Sequence, residues 1–203
     1  GISSTSDGSF IITWSSMQDG SGYGIYAQRF DSDGIKVGVE TLINTTTYQD
    51  QSGSTIVTLA DGTYVSVWRS DNQVDTDANT ITLKHFSFNA DHTLNVITDE
   101  VELHAPTSNA NSSVFHDIVA LTDGGYVVVW EVESPNDIWA QIFNADDTLH
   151  GDLIQIDNNV DTKVYTPTVA ATDNGGFNVT WSSEKYYSDE ISQDGDGQAI
   201  IVK

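Results

Sequence analysis

Asp61-Gly62-Thr63-Tyr64-Val65-Ser66-Val67-Trp68 is a tight turn feeding a short apolar run that ends on tryptophan. Asp-Gly between β-rich runs is a hairpin signal, because glycine takes positive φ without steric cost. The same octet stands at Asp7-Gly8-Ser9-Phe10-Ile11-Ile12-Thr13-Trp14 and at Asp123-Gly124-Gly125-Tyr126-Val127-Val128-Val129-Trp130. A copy one residue longer runs from Asp173 to Trp181. The tryptophans are 54, 62 and 51 residues apart. Self-similarity at such a period marks a repeat architecture in which each unit is one supersecondary module.

A second element follows each tryptophan. Ile25-Tyr26-Ala27-Gln28-Arg29-Phe30-Asp31 matches Leu83-Lys84-His85-Phe86-Ser87-Phe88-Asn89 and Ile138-Trp139-Ala140-Gln141-Ile142-Phe143-Asn144. The fourth copy stops early: Gln193-Asp194-Gly195-Asp196-Gly197-Gln198-Ala199-Ile200 aligns with Gln18-Asp19-Gly20-Ser21-Gly22-Tyr23-Gly24-Ile25. An apolar stretch precedes each turn (Thr55–Leu59, Asp117–Leu121), and a further strand such as Val37–Ile43 closes the unit. β-branched residues dominate and no stretch has helical periodicity, so helix is excluded beyond a turn. The expectation is an all-β chain of four tandem four-stranded antiparallel repeats, β-propeller-like, with the last repeat incomplete and fifteen strands in all. The alternative is a set of packed β-sandwich or solenoid-like modules. The units fall at about 1–50, 51–111, 112–163 and 164–203 of one repeat domain. One tryptophan per unit at a fixed place is expected to fill the layer between sheets.

The chain has 203 residues, with 7 Lys+Arg, 30 Asp+Glu and a net charge of −23. Phosphate would be repelled, which argues against nucleic acid and against anionic lipid. An apolar share of 38% is too rich for a disordered acidic chain. No apolar run reaches the roughly 20 residues of a membrane helix. Zero cysteines exclude a disulfide framework, zinc–thiolate sites and a cysteine nucleophile.

The segment Gln18 to Asp31, followed by Asp61 to Trp68, resembles the extracellular repeats of large secreted bacterial RTX-type adhesins and calcium-binding hemolysin-like proteins. The resemblance covers nearly the whole chain and is closest in the first repeat, although the glycine-rich calcium nonapeptide is absent. It implies a non-catalytic module for adhesion or structural presentation, stabilised by calcium and located outside the cell or on its surface. A cell-surface glycan or protein ligand and self-association through an open β-edge are the expected partners.

The residues themselves offer several chemistries. Asp75-Thr76-Asp77-Ala78-Asn79 has a D-x-D-x-N spacing that places oxygen ligands around a hard cation. Thr80 and Phe86 stand where an EF-hand needs Gly and Glu, so that loop is excluded. Asp194 and Asp196 form a second acidic cluster in the matching loop of the fourth repeat. The recurring pairs Asp31/Asp33, Asn89/Asp91 and Asn144/Asp146 are turn formers that bond the local backbone. Tyr23, Tyr26, Tyr186 and Tyr187 lie in or beside loops and are the candidates for stacking on sugar in a lectin-like alternative. A glycan-processing enzyme fragment is the third reading. Thirty acids make paired carboxylates inevitable, and with Arg29 and Arg69 as the only arginines no arginine cluster can clamp a substrate carboxylate.

Overall fold

The computed structural model describes residues 1–71, 79–104, 115–132, 136–157, 162–185 and 197–202. Among them there are fifteen strands and no helix. They are β1 (Ile2–Ser4), β2 (Phe10–Ser16), β3 (Gly24–Phe30), β4 (Lys36–Leu42), β5 (Gln51–Thr58), β6 (Tyr64–Asp71), β7 (Asn79–Phe88) and β8 (Leu94–Leu103). The remainder are β9 (His116–Ala120), β10 (Tyr126–Val132), β11 (Asp137–Phe143), β12 (Ile154–Asp157), β13 (Thr162–Ala171), β14 (Phe177–Lys185) and β15 (Gly197–Val202). Three sheets are four-stranded antiparallel meanders, β1 to β4, β5 to β8 and β9 to β12; the fourth, β13 to β15, has three strands. The all-β propeller-like reading therefore holds, down to the short last repeat.

The chain forms two compact units, Gly1–His104 and Ala105–Lys203, each with two of these sheets. The first and third sheets share one register, with Trp14 opposite Tyr26 and Trp130 opposite Trp139; in the second sheet the pairing is shifted by two residues, and Trp68 stands opposite Thr82. In the first unit, Ile11, Ile25, Ala27 and Ile43 pack with Ile56, Trp68 and Phe86 of the second sheet. Trp68 is fully buried, and its indole N–H donates to Gln51 Oε1 at 2.9 Å. Burying a side chain of that size is worth about 4–6 kcal/mol of transfer free energy. The second unit repeats the scheme: Val127, Val129, Ile138 and Ala140 face Val164, Val169, Val179 and Trp181.

Both units share a second device. The first strand of the following sheet carries a bulge, between Ser52 and Thr55 in β5 and between Tyr165 and Thr168 in β13. Each bulge contains a residue of positive φ, Gly53 at 69° and Thr166 at 48°. A side chain one position after the preceding tryptophan accepts its N–H. Ser15 Oγ takes Gly53 at 3.3 Å, and Glu131 Oε2 takes Thr166 at 3.1 Å.

The hairpin turns are stapled by their aspartates. Asp61, Asp91 and Asp146 each accept the backbone N–H and the hydroxyl of a threonine two residues on. Asp31 Oδ1 accepts the N–H groups of Asp33 and Ile35. At Asp7, hydrogen bonds from the Ser9 hydroxyl, the Thr5 hydroxyl and the Ser9 N–H hold the carboxyl down to about 2.

Candidate functional site

At one end of the first unit the β2–β3 connection meets the β4–β5 connection. Glycine makes the approach feasible. Gly22 has φ of 127°, and a Cβ there would lie 2.7 Å from Asp50 Oδ1 and 2.9 Å from the Gln49 carbonyl oxygen. A Cβ on Gly24 would lie 3.0 Å from Asp19 Oδ2 and 3.3 Å from Asn44 Oδ1. Glycines at both places let three oxygen-bearing side chains close on one backbone stretch.

Hydrogen bonds fix the arrangement. Asp50 Oδ1 accepts the Tyr23 N–H at 2.9 Å, and the Tyr23 carbonyl accepts the Gln51 N–H at 2.6 Å. Asn44 Oδ1 accepts the Ile25 N–H at 2.7 Å. Asp19 Oδ1 accepts the Ser21 N–H at 3.0 Å. Asp19 Oδ2 is buried and has no hydrogen-bond partner. It is an acceptor in place with nothing donating to it, a condition that favours a ligand hydroxyl or water. Tyr23 is 41% exposed and Tyr48 is 62% exposed, so the same two connections also bring two aromatic side chains to the surface. Tyr26 is buried and stacks on Trp14 with ring centroids 6.5 Å apart. Burial, and then the charge of Asp19, hold its hydroxyl above the ordinary tyrosine value.

The second unit buries Glu131 and Asp137 and half-buries Asp117. Asp117 Oδ2 accepts the Val169 N–H at 2.9 Å and Oδ1 accepts the Ile118 N–H at 2.9 Å. Burial raises its pKa against those hydrogen bonds. Asp137 is also raised, by burial first and by Asp157 in addition, with a hydrogen bond from Gln155 opposing. Glu131 and Asp117 are occupied in holding β13, so they build the core between β9–β10 and β13.

Of the residues singled out by sequence, Tyr23 lies at the loop cluster and Tyr26 lies beneath it. Asn79 begins β7, where its backbone pairs with Asp71. Asp75, Asp77, Asp194, Asp196, Tyr186 and Tyr187 lie outside the described residues. Among the described residues no three His, Cys, Asp or Glu side chains gather as a metal site. Sequence reasoning passed over Asp19, Asn44 and Asp50. The signal that pointed to them was the Gly20-x-Gly22-x-Gly24 spacing, which marks a place where other groups approach the backbone closely.

No protein-family model matches the chain, and no curated protein matches it by sequence. Solved structures do share its fold. A protein of unknown function from Dyadobacter fermentans superposes with a TM-score of 0.66 at 13% identity, over 98% of this chain and 50% of its own. The α-L-arabinanase of Penicillium chrysogenum, solved with arabinobiose, gives 0.63 at 12% identity, over 100% of this chain and 62% of its own. The GH93 α-L-arabinofuranosidase of Fusarium graminearum, also with arabinobiose, gives 0.61 at 11% identity, over 98% and 60%. The chain thus spans about half the length of the first of these and three fifths of the other two. Two expectations are corrected here. The chain shares its fold with arabinanases and arabinofuranosidases, which corrects the likeness to RTX-type adhesin repeats and overturns the expectation of a non-catalytic adhesion module. The resemblance misled because Asp-Gly turns and periodic tryptophans belong to any sheet repeat of this geometry.

Proposed function

We propose that the chain is the carbohydrate-facing part of a glycan-processing protein, with Asp19, Asp50, Tyr23 and Tyr48 turned toward sugar. The observation that carries this is the loop cluster itself: two carboxylates, one with a buried unpartnered oxygen, on connections that also carry the exposed Tyr23 and Tyr48. It stands on a fold shared with arabinan-processing enzymes across nearly the whole chain. Tyrosine faces stack on the C–H faces of a pyranose or furanose ring while carboxylate oxygens accept its hydroxyls. A carboxylate pair is also the minimum machinery for hydrolysis, one member acting as acid and the other as base or nucleophile. The net charge of −23 suits a neutral, uncharged polysaccharide and disfavours an acidic one. A polymer of that kind is met outside the cell, which supports a secreted or surface location.

The test is release of reducing sugar from α-linked arabino-oligosaccharides and from a panel of neutral polysaccharides, with binding measured in parallel by calorimetry. Hydrolysis that disappears in Asp19→Asn or Asp50→Asn supports the reading. Binding without release, lost on Tyr48→Ala, would favour the lectin-like reading that the exposed tyrosines also support. No binding to any member of the panel would sink both.

A further inference from the structure

The loop that carries Tyr48 and Asp50 is gripped from behind by the second sheet. Glu100 on β8 accepts the Thr45 N–H at 2.6 Å through Oε1, and the Thr46 N–H at 3.1 Å through either oxygen. Its Oε2 also accepts the Thr46 hydroxyl at 2.6 Å. Beside it, Asp99 Oδ1 accepts the Thr45 hydroxyl at 2.9 Å and meets the Lys84 ammonium at 3.1 Å. Lys84, 2% exposed, donates in turn to Thr45 Oγ1 at 2.6 Å. The chain of bonds continues forward. Asn44 Nδ2 donates to the Thr46 carbonyl at 2.8 Å, and Asn44 Oδ1 holds the Ile25 N–H next to Gly24. One connected network therefore runs from β8, through Thr45 and Thr46, to the backbone around which Asp19 and Asp50 close.

Lys84 is buried, but Asp99 is 62% exposed and Glu100 half-buried, so water screens the ion pair and its charges add little to stability. Polar networks with every member satisfied fix one geometry. We infer that Glu100, backed by Asp99 and Lys84, is the positioning residue of the loop cluster: it sets where Tyr48 and Asp50 stand. Glu100 itself touches only the loop backbone and the Thr46 hydroxyl in this network. The inference rests on the reading of that cluster as a carbohydrate site.

The experiment compares the full chain with Glu100→Ala, Glu100→Gln and Thr46→Val, and with Lys36→Ala, a surface change that leaves the network intact, as control. Amide hydrogen exchange over residues 44–50 is read alongside KM, kcat and affinity for arabino-oligosaccharides. Glu100→Ala is expected to speed exchange in that segment about tenfold or more, as the loss of charge-assisted bonds dictates. KM should rise and affinity fall by a similar factor, with kcat changing less. Glu100→Gln should recover part of both, because its amide oxygen still accepts a threonine N–H. Thr46→Val should fall between, and Lys36→Ala should match the unmodified chain. Unchanged exchange in Glu100→Ala overturns the inference. So does faster exchange with unchanged sugar affinity, which would make the network purely structural. If exchange accelerates but the unmodified chain neither binds nor cleaves any glycan, the carbohydrate reading is what has failed, and Glu100's role at a sugar site falls with it.

Discussion

Glu131 on β10 accepts the backbone N–H of Thr166 on β13 at 3.1 Å, and Thr166 is held there at a φ of 48°. Its counterpart in the first unit is Gly53, capped by Ser15. Both Gly53 and Thr166 stand fifteen positions before the tryptophan of their own sheet, Trp68 and Trp181. One position thus solves the same geometric problem with glycine in one unit and a β-branched residue in the other. The left-handed region costs a β-branched residue about 1–2 kcal/mol, and the charge-assisted bond that the Thr166 N–H donates to Glu131 offsets it.

Opposite effects are expected when the two residues are exchanged. Thr166→Gly should raise the melting temperature or leave it unchanged, because relief of strain outweighs or balances the added chain entropy of glycine. Gly53→Thr should lower stability by about 1–2 kcal/mol. Glu131→Ala should lower it by about 1.5–3 kcal/mol, the range for a bond to a charged group. Chemical denaturation of the three variants tests the set. Equal effects of Thr166→Gly and Gly53→Thr would show that the bulge is not what ties these positions together.

Asp117 should leave a mark on the pH dependence of stability. Burial raises its folded-state pKa above the ordinary 3.8, so the folded chain binds its proton more readily than the unfolded chain does. The sign follows from linkage: this residue's contribution is most favourable in acid and is lost as pH rises through the raised value. Asp117→Asn should therefore remove a destabilising contribution above that value and change little in acid. Asp7, held down to about 2 by its turn hydrogen bonds, has the opposite sign. Its contribution is present above 3.8 and is lost as pH falls through about 2. Melting curves of both Asn variants from pH 2 to 8, each subtracted from the unmodified chain, should slope in opposite directions. Parallel slopes would contradict the assignment.

The buried pair Trp68 and Gln51 lends itself to a double-mutant cycle. Trp68→Phe leaves Gln51 Oε1 without the indole donor, and Gln51→Leu leaves the indole N–H without an acceptor. Each should cost about 1–3 kcal/mol. The double change should cost less than the sum, since neither the indole N–H nor the Gln51 oxygen is left unpaired. Strict additivity would mean that the 2.9 Å bond carries no coupling.

Lys84 separates volume from charge. Lys84→Met keeps the buried stem and should cost little, because Asp99 is 62% exposed and remains hydrated. Lys84→Ala empties the space and should cost about 2–4 kcal/mol, as large-to-small core changes do. Near-equal losses would show that the ammonium, and not its stem, is what the site needs.

Gly22→Ala tests the loop cluster without touching a polar group. A Cβ there meets Asp50 Oδ1 at 2.7 Å on a backbone of positive φ, so the Asp50–Tyr23 contact has to open. Loss of sugar binding with a fall of about 1–2 kcal/mol in stability is expected. Retained binding would place the sugar elsewhere on the chain.

The repeats, the strand-turn-strand grammar and the packing tryptophans were legible in the residues because each is local. Asp-Gly sets a turn within four residues, and alternation such as Ile11 and Thr13 inward sets a face within seven. The Asp31, Asp91 and Asp146 turns behaved as their side-chain reach predicts. The family resemblance failed for the same reason that the repeats were visible: local grammar specifies a sheet and carries no information about what its loops bind. The loop cluster was not legible. Asp19, Asn44 and Asp50 come from two connections, and Glu100, which holds one of them, is another fifty residues on. No spacing rule links them; antiparallel pairing of β3 with β4, and packing of the first sheet on the second, brings them together. Thr166 gave no warning either, since a β-branched residue in a strand carries no turn signal. Its positive φ belongs to the bulge in β13, where Glu131 on another sheet accepts its N–H. By itself, then, the order of residues determined the all-β repeat with its short final sheet, through propensities that act over a few positions. Only the tertiary structure decided which carboxylates became core supports and which were left with an oxygen to offer, because burial and hydrogen bonding across sheets are set by residues far apart in the chain.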